Sequence, residues 1–113
     1  MADTNTEEFV RVGSLAEIPE GELRAFDIAS GRVCVAHASG EVYVFGDECT
    51  HRGCSLADEG GLIDAETVEC GCHKGRFDVK TGEPTKGPPV DPVPVFRVRV
   101  ADGWVEIGPP LQE

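Results

Sequence analysis

The sequence predicts an all-β fold, an antiparallel sandwich or barrel with a second unit inserted after Phe45. Three observations carry this. Short runs of β-branched and aromatic residues recur at regular spacing. Turn signals such as Ser39-Gly40 and Asp102-Gly103 separate them. No helical periodicity longer than one turn appears anywhere in the chain.

In chain order, Phe9-Val10-Arg11-Val12 reads as a first strand, and Ser14-Leu15-Ala16-Glu17 has the capping-box pattern of a single helical turn, stopped by Pro19-Glu20-Gly21. Glu22 to Ala29, Arg32 to Ala38 and Glu41 to Phe45 form an antiparallel meander turning at Ser30-Gly31 and Ser39-Gly40. Asp47 to Leu56 is a loop, Leu62-Ile63 and Thr67-Val68-Glu69 are short strands, and Cys70 to Gly75 is a second loop. Phe77-Asp78-Val79 leads to a turn at Lys80-Thr81-Gly82-Glu83. Pro84 to Pro94 is too rich in Pro and Gly to donate a regular ladder and is expected to be an extended loop. Val95 to Val100 and Trp104 to Ile107 close the sheet, Trp104 is expected in the core, and both tails, Met1 to Glu7 and Pro109 to Glu113, are expected to fray.

A chain of 113 residues is one domain, with an inserted unit at about residues 46–90 and a basal β domain from the flanking segments. No run of eighteen apolar residues occurs, and Met1 to Glu8 is acidic and polar where a signal peptide is basic and then apolar. The expectation is a soluble cytoplasmic monomer. With 21 acidic against 10 basic residues, nucleic acid and anionic membrane are disfavoured as partners, since both are polyanions. Five cysteines without a secretory signal read as metal ligands before disulfides. Cys34, in the apolar run Arg32 to Ala36, reads as an inert core residue, and His37 lies in a strand away from the other candidates.

The chemistry lies in Cys49-Thr50-His51 and, after eighteen residues, Cys70-Gly71-Cys72-His73. Thiolate and imidazole suit zinc, copper or iron-sulfur iron, not calcium or magnesium. Two readings follow. A tetrahedral Cys2His2 zinc site is one, but ββα zinc fingers pair Cys with Cys and His with His. Here each segment mixes the types, which suits a two-iron cluster with Cys49 and Cys70 on one iron and His51 and His73 on the other.

Cys49 to Cys54 and Cys70 to Asp78 resemble the two cluster-binding boxes of Rieske iron-sulfur proteins, and the likeness continues through Thr81-Gly82 and Gly87-Pro88-Pro89 to the last strands. The chain is most similar to the small ferredoxins of bacterial ring-hydroxylating dioxygenases. Its spacer between the boxes is slightly long, with Gly60-Gly61 the natural place for a longer hairpin. The resemblance implies the Rieske fold with an inserted cluster-binding subdomain, and one 2Fe-2S cluster held by Cys49, His51, Cys70 and His73. It implies an electron carrier, not an enzyme, that takes electrons from a ferredoxin reductase and gives them to a terminal oxygenase. The alternative is a small Rieske subunit of a larger oxidoreductase, of nitrite reductase or arsenite oxidase type.

Two features of the resemblance bear on potential. High-potential relatives carry Ser and Tyr hydroxyls in the second box where this chain has Gly75 and Phe77, which implies a potential near the bottom of the Rieske range. Cys54 and Cys72 fall where those relatives have a disulfide that dioxygenase ferredoxins lack, leaving a disulfide or two small free thiols as alternatives. Gly53, Gly71 and Gly75 let backbone N–H groups approach the cluster or are plain loop glycines, and Pro88-Pro89 resembles the family's shielding loop. Asp47, Glu48, Asp58 and Glu59 are expected near the cluster tip, as a steering surface or an ordinary solvated rim.

Overall fold

The computed structural model describes residues 9–28, 31–48, 54–72, 74–87 and 91–111. Among these residues, ten strands form two antiparallel sheets. The larger contains β1 (Val10–Ser14), β2 (Glu22–Ile28), β3 (Gly31–Ala38), β4 (Glu41–Gly46), β9 (Val95–Ala101) and β10 (Trp104–Pro110), in the order β1-β10-β9-β4-β3-β2. Its two edges meet. Gly13 of β1 lies so close to the Phe26 ring of β2 that a Cβ there would stand 3.1 Å from the ring, and the sheet is a nearly closed barrel.

The inserted unit is a one-turn helix, α1 (Leu56–Glu59), followed by a small sheet of β5 (Gly61–Leu62), β6 (Thr67–Glu69), β7 (Arg76–Asp78) and β8 (Pro84–Lys86). The run Val33 to Ala36 explains how the two parts join. Alternate residues of a strand face opposite sides. Val33 and Val35 point into the barrel with Val44, Val105 and Ile107, whereas Cys34 and Ala36 point outward into a second core with Phe45, Leu56, Val68, Phe77 and Val79. A strand covered on both faces reads as continuously apolar. Cys34 is thus a core residue, and burial pushes its thiol well above the ordinary range.

The turn chemistry is local. Ser39 and Gly40 both have positive φ (53° and 77°), as do Asp102 and Gly103 (53° and 81°), the geometry of two-residue hairpin turns. The Glu20 carboxylate accepts hydrogen bonds from the backbone N–H groups of Ser39 and Gly40, which hold it below its usual range. Ser14 caps the single turn Leu15–Glu17 by accepting from the Ala16 N–H, 3.2 Å away. His37 is occupied structurally, its Nδ1 lying 2.7 Å from the Ile18 carbonyl oxygen.

Several expectations need correction. Pro84 to Lys86 is not free loop but the edge strand β8, where a proline lacking N–H is tolerated because one side has no strand neighbour among the described residues. Gly31 is paired with Ile28 as the first residue of β3, so it is a strand residue and not part of the turn. The short strands expected at Leu62-Ile63 and Thr67 to Glu69 are joined by a turn in which the Ile63 N–H donates to the Thr67 carbonyl at 2.9 Å, and a Cβ on Gly60 would overlap the Glu69 carbonyl oxygen. The C-terminal tail is held as far as Leu111, whose N–H donates to the Val95 carbonyl at 2.7 Å. Trp104 is 40% exposed, because the first residue of β10 points away from the core, and the Arg11 guanidinium lies 5.1 Å above its ring.

On the same outer face, Glu106 receives hydrogen bonds from Arg99 Nε at 2.6 Å and Arg11 Nη2 at 3.1 Å, and these hold its carboxyl below the ordinary value of 4.5. A depressed carboxyl contributes stability that is present above the unfolded value and is lost as pH falls through the folded one. Glu106→Gln is therefore expected to flatten the acid limb of stability below about pH 4.5. Urea midpoints between pH 3 and 6, taken as an approximate working range, check this, and an unchanged acid limb would exclude the role.

Candidate metal centre

In the chain the first box lies between β4 and α1, and Asp47 directly follows β4. This carboxylate is 2% exposed, its Oδ1 accepts the Ala57 N–H at 2.8 Å, and its Oδ2 accepts the Ser55 hydroxyl at 2.5 Å. Its backbone carbonyl accepts the Leu56 N–H at 2.7 Å, and its N–H donates to the Arg32 carbonyl at 3.2 Å. Arg32 Nε approaches Oδ2 at 3.4 Å, balancing the buried charge. Ser55 in turn caps α1, accepting the Asp58 N–H at 3.1 Å. Asp47 is therefore not a member of an acidic rim. Burial of this kind has no local signal, although Ser55-Leu56-Ala57-Asp58 carries the S-x-x-D start signature that marks α1.

The second box is the turn between β6 and β7. The Cys70 N–H donates to the Gly75 carbonyl at 2.7 Å, and the Lys74 N–H donates to the Cys70 carbonyl at 2.9 Å, with Lys74 in the left-handed region (φ 64°). Phe77 is fully buried in the core that also holds Cys70, and so carries no hydroxyl into this region.

Among the described residues, one contact joins the two boxes and another seats the second box on α1. Cys54 and Cys72 form a disulfide, with Cα atoms 6.6 Å apart. Gly71 sits on the backbone of α1, where an added Cβ would overlap the Glu59 carbonyl oxygen and lie 2.8 Å from its carbon. Its lack of a side chain thus permits loop-to-helix contact, a requirement invisible in the sequence. Cys70 stays outside the disulfide and is 1% exposed. The sulfurs of Cys54, Cys70 and Cys72 lie within 4.8 Å of one another, and the disulfide removes two of them as metal ligands. A buried thiol at the foot of the joined loops is the kind of donor an iron-sulfur cluster requires. Cys49, His51, Gly53, His73, Pro88 and Pro89 lie outside the described residues.

The profile of the Rieske [2Fe-2S] domain matches residues 8–97. The chain belongs to the Rieske [2Fe-2S] family. Among curated relatives, it is 36% identical over 92 residues to the biphenyl dioxygenase ferredoxin subunit of Pseudomonas sp. (strain KKS102), covering 81% of this chain and 84% of that one. The 3-phenylpropionate/cinnamic acid dioxygenase ferredoxin subunit of Escherichia coli (strain K12) is 36% identical over 96 residues, covering 85% and 89%. Among solved structures, the ferredoxin of carbazole 1,9a-dioxygenase from Nocardioides aromaticivorans IC177 superposes with a TM-score of 0.83 at 35% identity, covering 89% of this chain and 97% of that one.

This Rieske protein is therefore a ferredoxin, an electron carrier with one Rieske 2Fe-2S cluster and not itself an oxygenase. The two curated relatives above, each named a dioxygenase ferredoxin subunit, are matched over 84% and 89% of their own length. No helix among the described residues is long and apolar enough to cross a membrane.

Proposed function

We propose that this ferredoxin takes one electron at a time from a ferredoxin reductase and passes it to the terminal oxygenase of an aromatic-ring dioxygenase system in the cytoplasm, acting as a monomer. The buried Cys70 thiol at the joined loops is the observation that carries the reading. Cys70 and Cys49 would hold one iron, and His51 and His73 the other. Bound there, a Rieske cluster supplies one-electron redox chemistry at a potential above that of all-Cys clusters, which lie at about −400 mV.

The chain's own residues set the rest. Asp47 and Arg32 tie the start of α1 to β3 and β4, and Gly71 seats the second box on α1. A relative in this size class is solved bound to the oxygenase of carbazole 1,9a-dioxygenase, which supports an oxygenase as the acceptor. Glu48 and Glu59 are exposed beside the first box, and in a chain of net charge −11 they favour docking on a basic partner surface.

A redox titration followed by electron paramagnetic resonance tests the function. A Rieske-type signal is expected only near or below about −100 mV. A signal well above zero would point to a respiratory-type subunit, and none from metal-loaded protein to zinc.

Phe77→Tyr provides a finer check on what sets the potential. A hydroxyl at this buried position offers the donor that high-potential relatives have, worth on the order of 1 kcal/mol, or tens of millivolts for one electron. A folded Phe77→Tyr protein with an unchanged midpoint would refute that account.

A further inference from the structure

The disulfide that joins the loops has a third sulfur beside it. Cys70 Sγ stands within 4.8 Å of both Cys54 and Cys72 and is itself unbridged. Thiol–disulfide exchange needs a thiolate next to a disulfide sulfur and no outside reagent, since one S–S bond forms as another breaks. We propose that in the cluster-free chain Cys70 exchanges into the Cys54–Cys72 bridge, giving the second box two covalent forms, of which only one can accept a cluster.

The step balances internally. The Cys70 thiolate attacks Sγ of Cys54, the Cys54–Cys70 bond forms, the Cys54–Cys72 bond breaks, and Cys72 leaves as the thiolate and takes up the proton that Cys70 released. No electron is gained or lost. Cys54 is the sulfur attacked because it lies on the opposite loop, so either bond keeps the loops tied. A Cys70–Cys72 bond would instead have to close across Gly71 alone, which is already seated on Glu59. Burial of Cys70 shields it from thiols in solution and leaves the neighbouring bridge as its accessible partner.

The consequence rests on Cys70 as a cluster ligand. Iron on Cys70 blocks exchange, and exchange removes Cys70 from iron. The second box would then report whether the chain is loaded, because its disulfide pairing depends on it.

The test starts from the full chain with its cluster, kept anaerobic and free of added thiol. One portion is stripped of iron by a chelator, and both are incubated. They are then quenched in acidic denaturant containing N-ethylmaleimide, cut after glutamate and sequenced by mass spectrometry. In loaded protein we expect label on Cys70 with Cys54 joined to Cys72. In stripped protein we expect a peptide linking Cys54 to Cys70 and label on Cys72, in on the order of a tenth of chains or more. Stripped protein with Cys72 unlabelled overturns the proposal, as does loaded protein with both Cys54 and Cys72 labelled. A Cys70→Ser chain must keep Cys72 unlabelled through the same treatment, and label there also overturns it. Iron uptake tests the consequence for loading: exchanged chains that still load iron fully overturn the claim that only one form accepts a cluster, and they remove Cys70 from the ligand set.

Discussion

Cys70→Ser is expected to abolish cluster incorporation, with iron and sulfide content falling to near zero, while the barrel still folds. Serine is nearly the same size but offers a hard oxygen in place of a soft sulfur, which iron-sulfur iron disfavours. The barrel survives because its interior of Val33, Val35, Val44, Val105 and Ile107 is a separate core from the one containing Cys70. Iron and sulfide analysis beside far-ultraviolet circular dichroism checks both halves of the prediction. A folded Cys70→Ser protein that keeps its visible spectrum would remove Cys70 from the ligand set.

Gly71→Val is expected to separate the two loops and cost about 3 kcal/mol, the upper part of the range for overpacking a closely fitted site. The new side chain would overlap the Glu59 carbonyl, which is backbone and cannot swing aside as a long side chain could. The same shift would strain the Cys54–Cys72 bridge and move Cys70, so cluster loss should accompany the loss of stability. Gly61→Ala provides the contrast. Nothing lies within 4 Å of a Cβ at Gly61, so that change should stay within about 0.5 kcal/mol. Urea unfolding of both variants decides the matter, and equal midpoints would mean that the Gly71 contact does not hold the loops.

Residue type and chain position put the acid Asp47 at the rim and the aromatic Trp104 in the core, but contacts with distant segments decide both. Asp47 is buried because Ser55, Ala57 and Arg32 converge on it from separate segments, and Trp104 is exposed because it lies on the outer face of the barrel. Pro84 to Lys86 joins a sheet because β7 offers it an edge that needs no proline N–H.

By itself the sequence determined what depends on neighbours along the chain. Alternation placed most of the strands, Ser39-Gly40 and Asp102-Gly103 set turns through their positive φ, and the mixed Cys/His boxes named the chemistry. The tertiary structure alone decided which faces are covered and which loops meet: Cys34 on the outward core, Gly71 on Glu59, Cys54 on Cys72, and a third sulfur beside that bridge. Period and turn geometry are properties of a few consecutive residues, whereas burial and contact are properties of pairs far apart in the chain, fixed only when the sheets close on each other.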